Sequence, residues 1–242
     1  MKNLKAALIA VFCALTLSVS AMADPEIRLK PDTINIGFIP QSSNFYFTAK
    51  AYSIGTDTLL IPEIETFNEC ITVTTDKHVL PPGDSANISV TFRSQKVEGY
   101  NIRYPRFKTN AKNLGGRALR LTVIPIVIKD PEVLSPIYVK PYRLIASQFG
   151  DSGPREFPFT IYNKSAQYVP LRLIYGDSTY YSLDMPMFVP PTDSAVGFIR
   201  LNDLGYASDF EANITFEFID DNSEPKNYTI PVRRKIFRND NQ

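Results

Sequence analysis

Pro81-Pro82-Gly83-Asp84-Ser85-Ala86 returns as Pro190-Pro191-Thr192-Asp193-Ser194-Ala195, and this echo reads as one module written twice. In the first copy the prolines fix φ near −65°. Gly83 is free to take a left-handed conformation and Asp84 can hold backbone amides beyond it, so the chain reverses into Ile88-Ser89-Val90-Thr91-Phe92. Working outward, Lys30-Pro31 meets Lys140-Pro141, Phe47 meets Phe157, Tyr52 meets Tyr162, Gly55 meets Ser165 and Ile61 meets Leu171, each 110 positions on. From the turn onward the step is 109: Val90 meets Ile199, Phe92 meets Leu201, Phe107 meets Phe216 and Val123 meets Val232. A single deletion accounts for the change. The phase matters, because a slip of one residue would turn every strand side chain to the opposite face.

The segments so aligned are short runs of Val, Ile, Thr, Phe and Tyr, and 19 prolines punctuate the chain, which is the composition of an all-β protein. Ile27 to Ile39 reads as an opening strand pair with a bend or bulge at Gly37. Phe45, Phe47, Ala49 and Ala51 alternate with Tyr46, Thr48, Lys50 and Tyr52, a strand with one buried face. A turn with Gly55 at positive φ then leads to Leu59-Leu60-Ile61. Ile88, Val90 and Phe92 point inward, Gly115-Gly116 makes a further turn, and Leu119, Leu121 and Val123 close the first sandwich. Asp130-Pro131-Glu132-Val133-Leu134-Ser135-Pro136 is a connector too short and stiff for a free tether, so the two units are expected to hold a restricted angle.

The beginning of the chain has the three parts of a secretory leader: Lys2 and Lys5, the apolar run Ala6 to Val19, and Ala21-Met22-Ala23 as a small-x-small cleavage site. A membrane anchor is the competing reading, but the run is shorter than the roughly 20 residues that span a bilayer. The formal charge of +1 becomes about −1 without the leader's two lysines, which implies no polyelectrolyte partner and no nucleic acid. Of the two cysteines, Cys13 would leave with the leader, so Cys70 remains as a free thiol and no internal disulfide is possible.

One order of residues carries a family resemblance: Gly37-Phe38-Ile39, Phe45 to Tyr52, Gly55, Leu60-Ile61, Cys70, Thr74, Leu80 to Ala86, Val90-Thr91-Phe92 and Thr109-Asn110. Over residues 31–127 it resembles the bacterial domain of unknown function 1573, a family with an ASH-type, major-sperm-protein-like immunoglobulin fold. The Cys-Gly-Cys triplet of such domains stands here as Cys70-Ile71-Thr72. The expected architecture is therefore a signal peptide (1–23), an immunoglobulin-like β-sandwich (24–129), a linker (130–136) and a second immunoglobulin-like β-sandwich (137–242).

Catalytic equipment is sparse. A nucleophile-base pair needs a partner such as His, and the chain's one histidine, His78, sits in the polar corner Thr75-Asp76-Lys77-His78. One His and one mature Cys do not make a zinc set, so no metal and no cofactor are expected. Cys70 reads as a small buried residue near a strand start, with an exposed redox thiol as the other reading. Asp220-Asp221-Asn222-Ser223-Glu224 reads as a hairpin tip rather than a calcium loop. Arg233-Arg234-Lys235 and Arg238 read as a solvated basic end, or else as a site for phosphate or an anionic surface. Asp57-Thr58-Leu59, Asp84-Ser85-Ala86 and Asp193-Ser194-Ala195 resemble bacterial O-glycosylation acceptors, and two of them are also good turns.

The candidate partner contact is Tyr175, Tyr180, Tyr181, Met185 and Met187, a stretch in which Tyr, Ser and Gly mix as they do in adaptable recognition loops; core strand residues would give much the same composition. The expected function is a non-catalytic exported protein-interaction or scaffolding module of the periplasm or cell surface, with no transmembrane segment in the mature chain. A periplasmic chaperone that binds unassembled subunits by β-strand addition is the first alternative. A carbohydrate-binding module is the second, although the chain holds no Trp.

Overall fold

The computed structural model describes residues 23–150, 152–219 and 223–237. Residues 1–22 of the expected leader, residues 220–222 of the acidic stretch, and Arg238 lie outside the described residues.

The first half of the chain forms β1 (Ile27–Lys30), β2 (Thr33–Pro40), β3 (Asn44–Ser53), β4 (Leu59–Leu60), β5 (Glu63–Glu65) and β6 (Ile71–Thr75). It continues through β7 (Val79–Leu80), β8 (Ser85–Arg93), β9 (Gly99–Tyr100), β10 (Arg106–Lys108), β11 (Leu119–Arg120) and β12 (Thr122–Ile128). After a 3₁₀ turn, Pro131–Val133, come β13 (Ile137–Lys140), β14 (Leu144–Ile145), β15 (Gln148–Phe149), β16 (Glu156–Asn163), β17 (Val169–Gly176) and β18 (Tyr181–Asp184). Next are β19 (Phe188–Val189), β20 (Ser194–Leu201), a short helix Asp203–Ala207, β21 (Phe210–Ile219), β22 (Pro225–Arg234) and β23 (Ile236–Phe237). The protein is nearly all-β. The helix was not foreseen, although Asn202 supplies the side-chain cap that starts it: its Oδ1 accepts the Gly205 N–H at 2.8 Å.

Two four-stranded sheets have the same order, β1-β3-β8-β6 and β13-β16-β20-β18. Their registers correspond as well. Ile27 faces Ser53 as Ile137 faces Asn163, Ala51 faces Ala86 as Ile161 faces Ala195, and Ile71 faces Phe92 as Tyr181 faces Leu201. On the opposing layers Leu59 faces Leu80 as Val169 faces Val189, and the parallel pair Ile34–Val123 matches Leu144–Val232. The step of 110 therefore holds to Tyr181 and is 109 by Val189, which puts the missing residue in the β18–β19 connection. The alternation read in β3 is the buried face seen, and Ile88, Val90 and Phe92 are inward as expected. Buried apolar residues form two clusters, one from Ile27 to Val127 and one from Ile137 to Val232.

Gly83 has φ +82, and the turn around it is pinned by Asp84 Oδ1, which accepts the Ser85 N–H at 2.7 Å. Lys77 bonds the same carboxylate at 2.9 Å and, together with that amide, lowers its pKa from the ordinary value. Its counterpart Thr192 takes φ +50, a conformation that disfavours a β-branched side chain. Gly55 corrects the sequence reading. Its φ is not in the left-handed region; what excludes a side chain there is the Asp24 carbonyl oxygen, 2.1 Å from where a Cβ would stand.

The layer β19-β17-β21-β22-β2-β12-β9 is one sheet running through both halves, joined where Phe38 pairs in parallel with Tyr228. The seam beside this pair is polar yet buried. Asn227 Nδ2 donates to the Asn35 carbonyl at 2.8 Å, Thr229 Oγ1 to the Ile36 carbonyl at 2.6 Å, and the Tyr46 N–H to Asn213 Oδ1 at 2.8 Å. Phe38 packs on Phe218 and Phe47 on Tyr175, with centroids 6.2 and 5.7 Å apart. Buried backbone carbonyls demand donors, and these side chains supply them.

Candidate interaction surface

The five residues expected to form one contact surface are divided by the fold. Tyr181 opens β18 opposite Leu201 and is only 2 % exposed, so it belongs to the core; its hydroxyl donates to the Asn213 carbonyl at 3.4 Å. Burial holds its pKa well above the ordinary phenol value. Tyr180 lies flat on Phe210, ring centroids 4.5 Å apart, and its carbonyl accepts the Asn202 N–H. Tyr175 is half-buried against Phe47, and Met185 packs on the second core cluster. Of the five, Met187 alone projects fully, at 78 % exposure. The mixed Tyr-Ser-Gly composition came from strand and turn residues, which is why it misled.

Met187 has two exposed neighbours, Phe188, which closes the segment read from the sequence as a contact surface, and Tyr168, which that reading missed. Tyr168 is 66 % and Phe188 49 % exposed, and their rings meet edge to face at 5.6 Å. Phe188 belongs to β19, the outermost strand of the large sheet, which covers β17 only at Val169 and Pro170, with one further bond from the Leu171 N–H to the Met187 carbonyl. Beyond Leu171 this side of β17 carries no described strand, and Leu173 and Ile174 there are 49 % and 44 % exposed. An open strand edge offers unpaired N–H and C=O groups, and the adjoining Tyr, Met and Phe offer area that a partner can bury.

The remaining candidates are accounted for singly. Cys70 is half-buried rather than buried, and Arg103 Nε donates to its Sγ at 3.2 Å. His78 is exposed, with Nδ1 2.8 Å from the Ile61 carbonyl, which places the ring proton on Nδ1. Arg234, read as part of a solvated end, is 1 % exposed and donates to the carbonyls of Ala146 and Tyr206 and to Gln148 Oε1. Among the described residues no group of three or more His, Cys, Asp or Glu is placed to hold a metal ion, and no helix is long and apolar enough to cross a membrane.

Residues 25–123 match the model of the HYDIN/CFA65/VesB-like Ig-like domain, and this stretch has an immunoglobulin-like sandwich fold. That is the match found, where the sequence reading pointed to the domain of unknown function 1573. No curated protein matches the chain. Among solved structures, the chain is similar to a protein of unknown function from Porphyromonas gingivalis W83, with 8 % identity, 86 % of this chain and 99 % of that one covered, and a TM-score of 0.33. It is similar to an ASH/PapD-like domain of human CEP192 over 48 % of this chain and 96 % of that one, with 10 % identity and a TM-score of 0.36. The E. coli chaperone DraB covers 85 % of this chain and 97 % of its own length, with 10 % identity and a TM-score of 0.32.

Proposed function

We propose that the protein is an exported, non-catalytic binding module of the cell envelope, built from two tandem immunoglobulin-like domains (24–129 and 137–242). The recurrence of sheet order and register between the halves supports the domain count. The leader-like residues 1–23 support export. The observation that carries the binding role is the open edge of β17, with Leu173 and Ile174 exposed beside Tyr168, Met187 and Phe188. An extended segment of a protein partner adds a strand there, its backbone meeting the edge and its apolar side chains meeting the ring pair.

A photo-crosslinking residue at position 187, introduced in the native cell, tests this. Capture of a defined partner that is lost in an Ile174→Lys variant of unchanged thermal midpoint supports the reading. Capture indifferent to that charge, or none, overturns it. The same edge suits a chaperone that holds an unassembled subunit, and a captured species that lacks one strand of its own sandwich would select that reading.

A further inference from the structure

Residues 144–150 and 232–237 run side by side as a parallel ribbon. Leu144 pairs with Val232, Ile145 with Arg233, Gln148 with Ile236 and Phe149 with Phe237, and bonds from the N–H groups of Ala146, Gln148 and Gly150 to the carbonyls of Arg233, Lys235 and Phe237 keep the ladder regular. Period two then sends Leu144, Ala146, Gln148, Val232 and Arg234 inward, all of them buried. The outward face carries Ile145, Phe149 and Phe237 with Arg233 and Lys235. Phe149 is 76 % exposed, and its ring is stacked on that of Phe237 at 4.9 Å and 7°, with Lys235 Nζ 5.3 Å from the Phe237 centroid.

The shallow concavities beside this face present three cations, Arg143, Arg233 and Lys235, against two carboxylates, Asp209 and Glu211; Arg234 also lines one of them but is buried, with its donors spent on Ala146, Tyr206 and Gln148. Both carboxylates are engaged. Asp209 accepts the Ile236 N–H at 2.8 Å; Glu211 pairs with Arg233 at 3.4 Å and accepts the Tyr46 hydroxyl. Arg143 spends its donors on Ser43 Oγ and the Gln41 carbonyl, neither of them charged. Two phenyl rings and an isoleucine standing out of a cationic surface suit the boundary between headgroups and acyl chains of an anionic bilayer, where rings sink and cations meet phosphate.

We infer that this ribbon docks the protein onto anionic phospholipid, at a face separate from the β17 edge. The chain has no Trp, so Phe237→Trp gives a single reporter and Met187→Trp a control on the other surface. Protein from the exported fraction is mixed with phosphatidylcholine vesicles with and without phosphatidylglycerol. The expected result is a blue shift of the position-237 reporter on anionic vesicles only, reversed by salt, with position 187 silent. In sedimentation with anionic vesicles, Lys235→Glu weakens binding by at least about fivefold, the factor set by roughly 1 kcal/mol per basic residue. Phe149→Ser weakens it further while leaving the thermal midpoint in place. No shift, an equal shift on phosphatidylcholine alone, or a shift at both positions overturns the inference. So does a shift that grows with protein concentration without vesicles, which would assign the ribbon to a second copy of the chain.

Discussion

Replacing Gly37 by Ala probes the contact that ties the halves together. Gly37 lies at φ +70, and a Cβ there would stand 2.0 Å from the Asn227 carbonyl oxygen and 2.4 Å from its carbon. Both are backbone atoms of β22, so no side chain can swing aside. The left-handed conformation alone costs a non-glycine residue about 1–2 kcal/mol. Relieving the overlap requires β2 to withdraw from β22, which forfeits the bonds from Asn227 to the Asn35 carbonyl and from Thr229 to the Ile36 carbonyl, about 1 kcal/mol each. The expected loss is about 3–4 kcal/mol. Gly83→Ala is the matched control, because Gly83 has φ +82 and open space around it, so only the conformational part, about 1–2 kcal/mol, applies. Denaturant titration of both variants isolates an excess of about 2 kcal/mol for the seam. Equal losses in the two variants would refute the close approach and the reasoning built on it.

Thr192→Gly is expected to stabilise the protein by about 0.5–1 kcal/mol in the same titration, since it relieves a β-branched residue at φ +50. Asn213→Ala, at a fully buried site, leaves the Tyr46 N–H without its acceptor and is expected to cost about 2–3 kcal/mol. Among the described residues the Tyr228 hydroxyl is buried without a hydrogen-bond partner, so Tyr228→Phe is expected to be neutral or stabilising by up to about 1 kcal/mol. Burial raises the pKa values of Tyr181 and Tyr228 above the ordinary 10.0, so above that pH the unfolded chain releases protons that the folded chain keeps. Their contribution is complete below pH 10 and declines as pH rises beyond it; alkaline unfolding followed by circular dichroism should move to higher pH in the Tyr181→Phe, Tyr228→Phe double variant.

What the sequence told depended on which face each pattern described. In β3 and β8 one face meets the core and the other water, so alternation of Phe45, Phe47, Ala49 and Ala51 with polar residues was enough to orient both strands. In β21 and β22 the residues Asn213, Thr215, Asn227 and Thr229 look like a wet face and are instead sealed beneath β2 and β3. Polarity alone does not separate a solvated face from one whose partners are another strand's carbonyls. The misplaced tyrosines were avoidable. The step of 110 carries Ile71 onto Tyr181, so the position was already marked as inward by its buried counterpart in β6. Leu173 and Ile174 were hidden for the opposite reason: an exposed edge and a buried strand have the same apolar composition, and only the length of the neighbouring β19 distinguishes them.

The seam has a mechanical consequence. Each half has its own apolar cluster and antiparallel ladders, whereas the boundary joins them through a single parallel pair, a few side-chain bonds that water can replace, and two aromatic contacts, Phe38 on Phe218 and Phe47 on Tyr175. Tension applied along the chain should thus open this boundary first, baring only those two ring pairs, and leave the two halves folded on a short leash. Such a joint is strict about direction and weak in pull, so load would lengthen the molecule reversibly before it unravels either half.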